Sequence, residues 1–162
     1  MAKAKKYPKI QYDGGLCAGH LLVWTWRKLV VGHDDCPVLT REYARFAGGR
    51  AEALLSTFAS FLLALGRGSR RVLMVGQPYC AGLTVDEEHM LRLIAAAQTG
   101  NSALLFAHLA WLARREYQDD LRLAANRLAD ALSEAGVILP PVRMSAPAGM
   151  TSLDVVQAHA PM

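Results

Sequence analysis

The sequence has few of the residues that mark several protein classes. Its 162 residues include only three cysteines, and aromatic residues make up 7% of the chain. Three cysteines cannot all pair within one chain, so the sequence does not suit a disulfide-stapled scaffold and fits a reducing compartment. No heptad pattern is sustained and no internal repeat is visible, which excludes a long coiled coil and a repeat protein.

Long hydrophobic runs are also absent. The longest apolar stretch, residues 53–65, is interrupted by three hydroxyl side chains, and a helix that spans a membrane needs about 20 apolar residues. The basic N-terminus leads into Tyr7, Pro8 and Asp13 instead of an apolar segment, so it does not resemble a secretory signal. We therefore expect a cytoplasmic protein without a membrane span.

Acidic and basic residues are distributed unevenly along the chain. The net charge is +4, but residues 1–71 hold 12 Lys and Arg against 5 Asp and Glu, whereas residues 72–162 hold 6 against 9. Hydrophobic residues make up 52% of the chain, which is enough for one buried core. The basic half would attract an acidic partner, a nucleic acid or a membrane surface.

Hydrophobic periodicity predicts an all-α fold, a single compact bundle of five or six helices formed by residues 14–141. Flexible tails are expected at residues 1–13, which are basic, and at residues 142–162. Thr40 is expected to cap one of the helices, and residues 71–75 favour a short extended segment packed on the bundle. Helical spacing covers residues 16–31, 50–65, 85–98, 102–115 and 118–134.

Several helix boundaries have their own sequence signals. Thr84 and Glu87 have the spacing of a capping box, which places a helix start at Val85. Residues 66–69 are expected to end the preceding helix, with a glycine as its left-handed cap. The acidic pair Glu87 and Glu88 is interpreted as charge in a first turn, where it offsets the helix dipole.

No local signature of nucleophilic, metalloprotease or phosphate-loop catalysis is present, so a non-enzymatic role is favoured. The strongest chemical pattern is His33-x-x-Cys36 in one loop together with Cys80 and His89 in another. Thiolate and imidazole are ligands that zinc and iron accept, so these four side chains are the candidate metal site. A haem thiolate at Cys36 or Cys80 is an alternative of the same kind.

A second set of candidates is cationic. The expected binding residues for an anion or an acidic partner are Lys3, Lys5, Lys6, Lys9, Arg67, Arg70 and Arg71. Such cations neutralise phosphates without reading bases, and residues 102–115 are too apolar to serve as a recognition helix. The leading hypothesis is an interaction or regulatory protein that binds another protein, or itself, through apolar helices and the basic half. A metal or haem binder and a nucleic-acid accessory protein are the alternatives.

One stretch of about a third of the chain resembles a known group of proteins. An Arg-Arg-apolar segment at residues 70–75 runs through Pro78-x-Cys80 into the capped helix that starts near Thr84. This order is similar to that of small uncharacterised alphaproteobacterial helical proteins of unknown function. The resemblance implies a bacterial cytoplasmic setting and no particular reaction. Members of that group often cluster cysteines in this loop, whereas this chain has Cys80 alone.

Overall fold

The computed structural model describes residues 16–33, 35–78, 80 and 82–140, and this part of the chain folds into six α-helices without a β-strand. The predicted all-α class is therefore confirmed. The tails expected at residues 1–13 and 142–162 lie outside the described residues. The helices are α1 (Leu16–Val30), α2 (Pro37–Ala47), α3 (Ala51–Gly68), α4 (Val85–Thr99), α5 (Ser102–Leu112) and α6 (Gln118–Glu134), with single 3-10 turns at Gly48–Arg50 and Arg115–Tyr117.

The core lies where α3, α4 and α6 meet. Helix α6 packs against both α3 and α4, while α2 lies on α3 and α5 lies on α4. Apolar residues at helical spacing, such as Phe58 and Phe61 of α3, have no exposed surface. The face predicted for α6, with Leu121, Leu128 and Leu132, is buried against them. Burial of these stripes is what holds the helices together.

Helix α2 begins four residues earlier than predicted. Thr40 does not cap it, because the helix starts at Pro37 and Cys36 occupies the N-cap position in an extended conformation. Proline suits the first helical position, where its missing N–H would have no partner within the helix. The prediction of a Thr40 cap is therefore wrong.

Helix α3 continues past Gly66 and stops at Gly68, within the segment predicted to end it. Neither glycine has a positive φ, so the predicted left-handed cap is wrong. Gly68 serves close packing, because a Cβ at that position would lie 2.7 Å from the Cβ of Tyr117. The carbonyl oxygen of Gly68 also accepts a hydrogen bond of 2.8 Å from the N–H of Arg114. This contact brings the end of α3 against the turn that follows α5.

Residues 71–83, which we call the strap, lie between α3 and α4, and those of them that the structure describes (71–78, 80, 82 and 83) form neither helix nor strand. Side-chain exposure alternates along the first part of the strap. Val72 and Met74 are exposed, whereas Leu73 and Val75 are half-buried. This two-residue period is that of an extended chain, as predicted for residues 71–75.

The predicted capping box at the start of α4 is present. The Thr84 hydroxyl accepts a hydrogen bond of 3.2 Å from the N–H of Glu87, whose carboxylate accepts one of 2.8 Å from the N–H of Thr84. The same hydroxyl donates to the carbonyl oxygen of Met74 at 2.5 Å. Thr84 therefore joins the strap to the first turn of α4.

Replacing Thr84 with alanine tests this junction. Thr84→Ala leaves the first-turn amide and the Met74 carbonyl without their partner, so we expect the free energy of unfolding to fall by about 1 to 2 kcal/mol. Thr57→Ala is the matched control, because the exposed Thr57 hydroxyl bonds only to the carbonyl of Ala53 within its own helix. Equal midpoints for the two variants in urea denaturation would contradict this role.

Candidate functional site

A buried ion pair lies beneath the strap. Arg27 of α1 and Glu87 of α4 are almost completely buried, and they form two parallel hydrogen bonds of 2.7 Å, from Nε to Oε1 and from Nη2 to Oε2. A bidentate pair of this kind fixes the orientation of both side chains. It therefore ties α1 to the N-terminus of α4, although 60 residues separate the partners in sequence.

Arg27 also binds the backbone of the strap. Its Nη1 donates to the carbonyl oxygens of Cys80 at 2.7 Å and Gln77 at 3.2 Å, and its Nη2 donates to that of Gly82 at 2.6 Å. A Cβ at Gly76 would lie 2.7 Å from Nη2, so glycine is needed for this approach. The Arg27 guanidinium thus donates hydrogen bonds to three backbone carbonyl oxygens of the strap.

The Glu87 carboxylate receives several hydrogen bonds at once. In addition to Arg27, the backbone N–H groups of Gly76 and Thr84 donate to it at 2.9 and 2.8 Å. Burial alone would raise the pKa of Glu87, but these hydrogen bonds outweigh burial and hold the pKa below its ordinary value. Glu87 therefore stays charged, and its charge is matched by Arg27.

The neighbouring residue Asp86 repeats this arrangement closer to the surface. Arg71 donates to its two oxygens at 2.8 and 2.7 Å, and the N–H of Met74 donates at 2.7 Å. The indole N–H of Trp111 lies 3.4 Å from Oδ1. Although burial opposes ionisation, the bonds from Arg71 and Met74 hold the pKa of Asp86 below its ordinary value. Asp86 thus connects the strap, α4 and α5.

Two histidines pair between α4 and α5. Nδ1 of His89 lies 2.9 Å from Nδ1 of His108, and the His89 ring stacks on Trp111 with centroids 4.5 Å apart. One imidazole must donate its Nδ1–H while the other accepts, so the pair forms only when at least one ring is neutral. Burial lowers the pKa of both histidines, and the nearby charge of Arg92 lowers both further.

The outer side of α5 is apolar and exposed. The helix contains no acidic residue, lysine or arginine, and its buried side is formed by Leu105, His108, Leu109 and Leu112. Phe106 is 54% exposed, and Leu104 and Trp111 are similarly exposed. Helix α5 packs mainly on α4 and to a smaller extent on α6, which leaves its other side open. We call the exposed residues 103, 104, 106, 107, 110 and 111 the α5 face.

Arginines gather at the C-terminal end of the α5 face. Arg70 donates to the carbonyl oxygen of Ala110 at 2.7 Å, and Arg71 lies over the Trp111 ring at 5.7 Å. Arg114 donates to the carbonyl oxygen of Arg67 at 2.9 Å, which brings the end of α3 to the same place. These cations also complement the partial negative charge at the C-terminus of α5. The backbone of Arg67 and the side chains of Arg70 and Arg71 thus lie at the same end of the α5 face.

Arg71 is already paired with Asp86. Half of its side chain remains exposed, so it lies at the edge of the α5 face while its charge is partly neutralised. The predicted contributors Lys3, Lys5, Lys6 and Lys9 lie outside the described residues.

The structure does not bring His33, Cys36, Cys80 and His89 together. His33 and Cys80 are exposed in separate loops, Cys36 occupies the N-cap position of α2, and His89 pairs with His108 instead. Nowhere in residues 16–33, 35–78, 80 and 82–140 do three His, Cys, Asp or Glu side chains form a group able to hold a metal ion. The spacing of these four residues in the sequence does not show how far apart their loops lie in the fold. Zinc, iron or haem binding stays a prediction.

The most connected residues of the site were not among the sequence candidates. Arg27 lies in an apolar helix, and Glu87 was assigned to the dipole of its own helix. The one signal that pointed to them is an arginine within a run of large apolar residues, because such a charge must find a partner when the helix is buried. The pairing of His108 with His89 depends on the packing of α5 on α4, which the sequence alone does not show.

Comparison with known proteins gives no relative. No protein-family model, curated protein or solved structure matches this chain. Among the helices of the described residues, none combines the length and apolar character that crossing a membrane requires.

The buried pair can be tested by removing its charge. Glu87→Gln leaves Arg27 buried without a counter-charge, so we expect a loss of about 3 kcal/mol or more in the free energy of unfolding, measured in urea. Glu134→Gln is the matched control, because Glu134 pairs with Arg50 at an exposed site and should cost less than about 1 kcal/mol. Similar losses in the two variants would contradict the central position of Glu87.

The histidine pair predicts acid sensitivity. Its folded pKa values lie below the ordinary 6.5, so between these values the unfolded chain binds more protons than the folded one. The stability from the neutral pair is present above pH 6.5 and is lost as the pH falls. His108→Gln should flatten the dependence of unfolding free energy on pH, whereas His33→Gln, at an exposed site, should not. An unchanged slope in His108→Gln would refute the pairing.

Proposed function

We propose that this protein is a non-enzymatic interaction protein with a regulatory role that binds another protein through the α5 face. The observation that carries the proposal is an exposed helix side without charge, bordered at one end by Arg67, Arg70, Arg71 and Arg114. Exposed apolar patches with a polar rim are typical of protein contact sites. Large aromatic side chains such as Phe106 and Trp111 contribute most to binding at such sites.

The chemistry of the surface defines the partner. An apolar surface that ends in arginines fits a protein segment with apolar side chains followed by acidic ones. A symmetric contact between two α5 faces fits less well, because it would bring the arginines of one copy near those of the other. The partner is therefore expected to be a different protein with an acidic, amphipathic segment.

The rigidity of the site supports recognition of a preformed surface. Trp111 is held by His89 on one side and by Asp86 on another, so its orientation is fixed before a partner arrives. A side chain that is already ordered loses less conformational entropy on binding. The setting we propose is the cytoplasm, where the free thiols of Cys36 and Cys80 would remain reduced.

Two synthetic helical peptides with the same leucine pattern test the partner chemistry. One carries glutamates on its polar side and the other carries lysines. The glutamate peptide should shift the amide resonances of α5 and of residues 67–72, and the lysine peptide should not. Phe106→Ser should weaken this binding about tenfold or more, which is a loss of about 1.4 kcal/mol.

Ile138→Ser is the control for this experiment, because Ile138 is an exposed apolar residue outside α5. Equal binding of the two peptides, or no binding of either, would contradict an acidic protein partner. Tighter binding to vesicles that contain anionic lipid than to the glutamate peptide would identify a membrane surface instead.

A further inference from the structure

A second surface lies between α3 and α6. A cleft of about 260 Å³ opens at the surface where these two packed helices meet, with the fully buried Phe61 beneath it and Ser60 and Ala64 along one side. Helix α6 lines the other side with Asp120, Leu123, Ala124 and Arg127. Small side chains along the cleft allow another helix to approach closely.

The two charges on the α6 side of the cleft are unpaired. Asp120 and Arg127 are seven residues apart, which is almost two helical turns, so they lie on the same face about 10.5 Å apart along the axis. Within the described part of the chain, neither of them takes part in an ion pair. The midpoint between them falls at Leu123 and Ala124, and Leu123 is half exposed.

Along this side of α6 an acidic residue, an apolar centre and a basic residue follow one another. The surface is therefore complementary to an antiparallel copy of itself. A two-fold axis that passes between Leu123 and Ala124 brings α6 of a second copy antiparallel to the first. Asp120 of each copy then faces Arg127 of the other, and Leu123 faces Ala124. We propose that α6 and the α3–α6 cleft form the interface of a symmetric homodimer, with the two helices in this register.

The charges of a second copy of this chain match those along the cleft. An antiparallel copy of α6 presents both complementary charges at the required spacing, whereas a parallel copy would place Asp120 against Asp120. Exposed ion pairs contribute only about 0.2 to 1 kcal/mol each, so the charges set the register while burial of Leu123 supplies affinity. This interface does not involve the α5 face and is independent of the proposed function.

Charge reversal tests the register directly. Asp120→Arg places an arginine opposite Arg127 of the second copy, and Arg127→Asp places two acidic groups together. Each single change should weaken the dimer at least tenfold in sedimentation equilibrium, because the symmetry creates two repulsive contacts. The double variant D120R/R127D restores both pairs with opposite sense and should return the dissociation constant to within about threefold of the original.

Arg122→Asp is the matched control, since Arg122 lies on α6 but does not line the cleft, and it should leave the dimer unchanged. All these side chains are exposed or partly exposed, and thermal unfolding should show that the variants stay folded. A protein that remains monomeric at millimolar concentration would overturn the proposal. Single variants that dimerise normally, or a double variant that stays weakened, would overturn it as well.

Discussion

The pairing of Arg27 with Glu87 is the interaction on which the strap and the candidate site depend. The described residues of the strap form neither helix nor strand, so their backbone polar groups have no regular partners, and groups left unpaired next to the core would be costly. Arg27 takes up the carbonyl groups of Gln77, Cys80 and Gly82 while Glu87 takes up two N–H groups. Each charge also neutralises the other, so two buried ions stabilise an irregular segment.

The acidic first turn of α4 extends this network of hydrogen bonds from the buried pair to the surface. Asp86 holds Arg71 and the strap on one side and contacts Trp111 of α5 on the other. The α5 face therefore rests on groups fixed by the same turn that fixes the strap. This arrangement accounts for an exposed aromatic residue that is nevertheless well positioned, which is the property the proposed binding function needs.

Local signals in the sequence predicted much of the fold and little of the site. Helix α6 has the predicted limits, and the Thr84 capping box was readable because its two residues are three positions apart. Thr40 is not the N-cap, because α2 begins at Pro37 without a side-chain capping hydrogen bond. The partners Arg27 and Glu87 are far apart in sequence, so their contact depends on tertiary packing. Residue types indicated that His89 was of interest but not that its partner is another histidine.

Amide hydrogen exchange tests the central position of the buried pair most directly. The N–H groups of Gly76 and Thr84 donate to Glu87, and that of Met74 donates to Asp86, although all three lie outside regular structure. The account predicts that these amides exchange as slowly as those within α4, and that Val72, close to them in sequence, exchanges quickly. Fast exchange at Gly76 and Thr84 in the folded protein would contradict it.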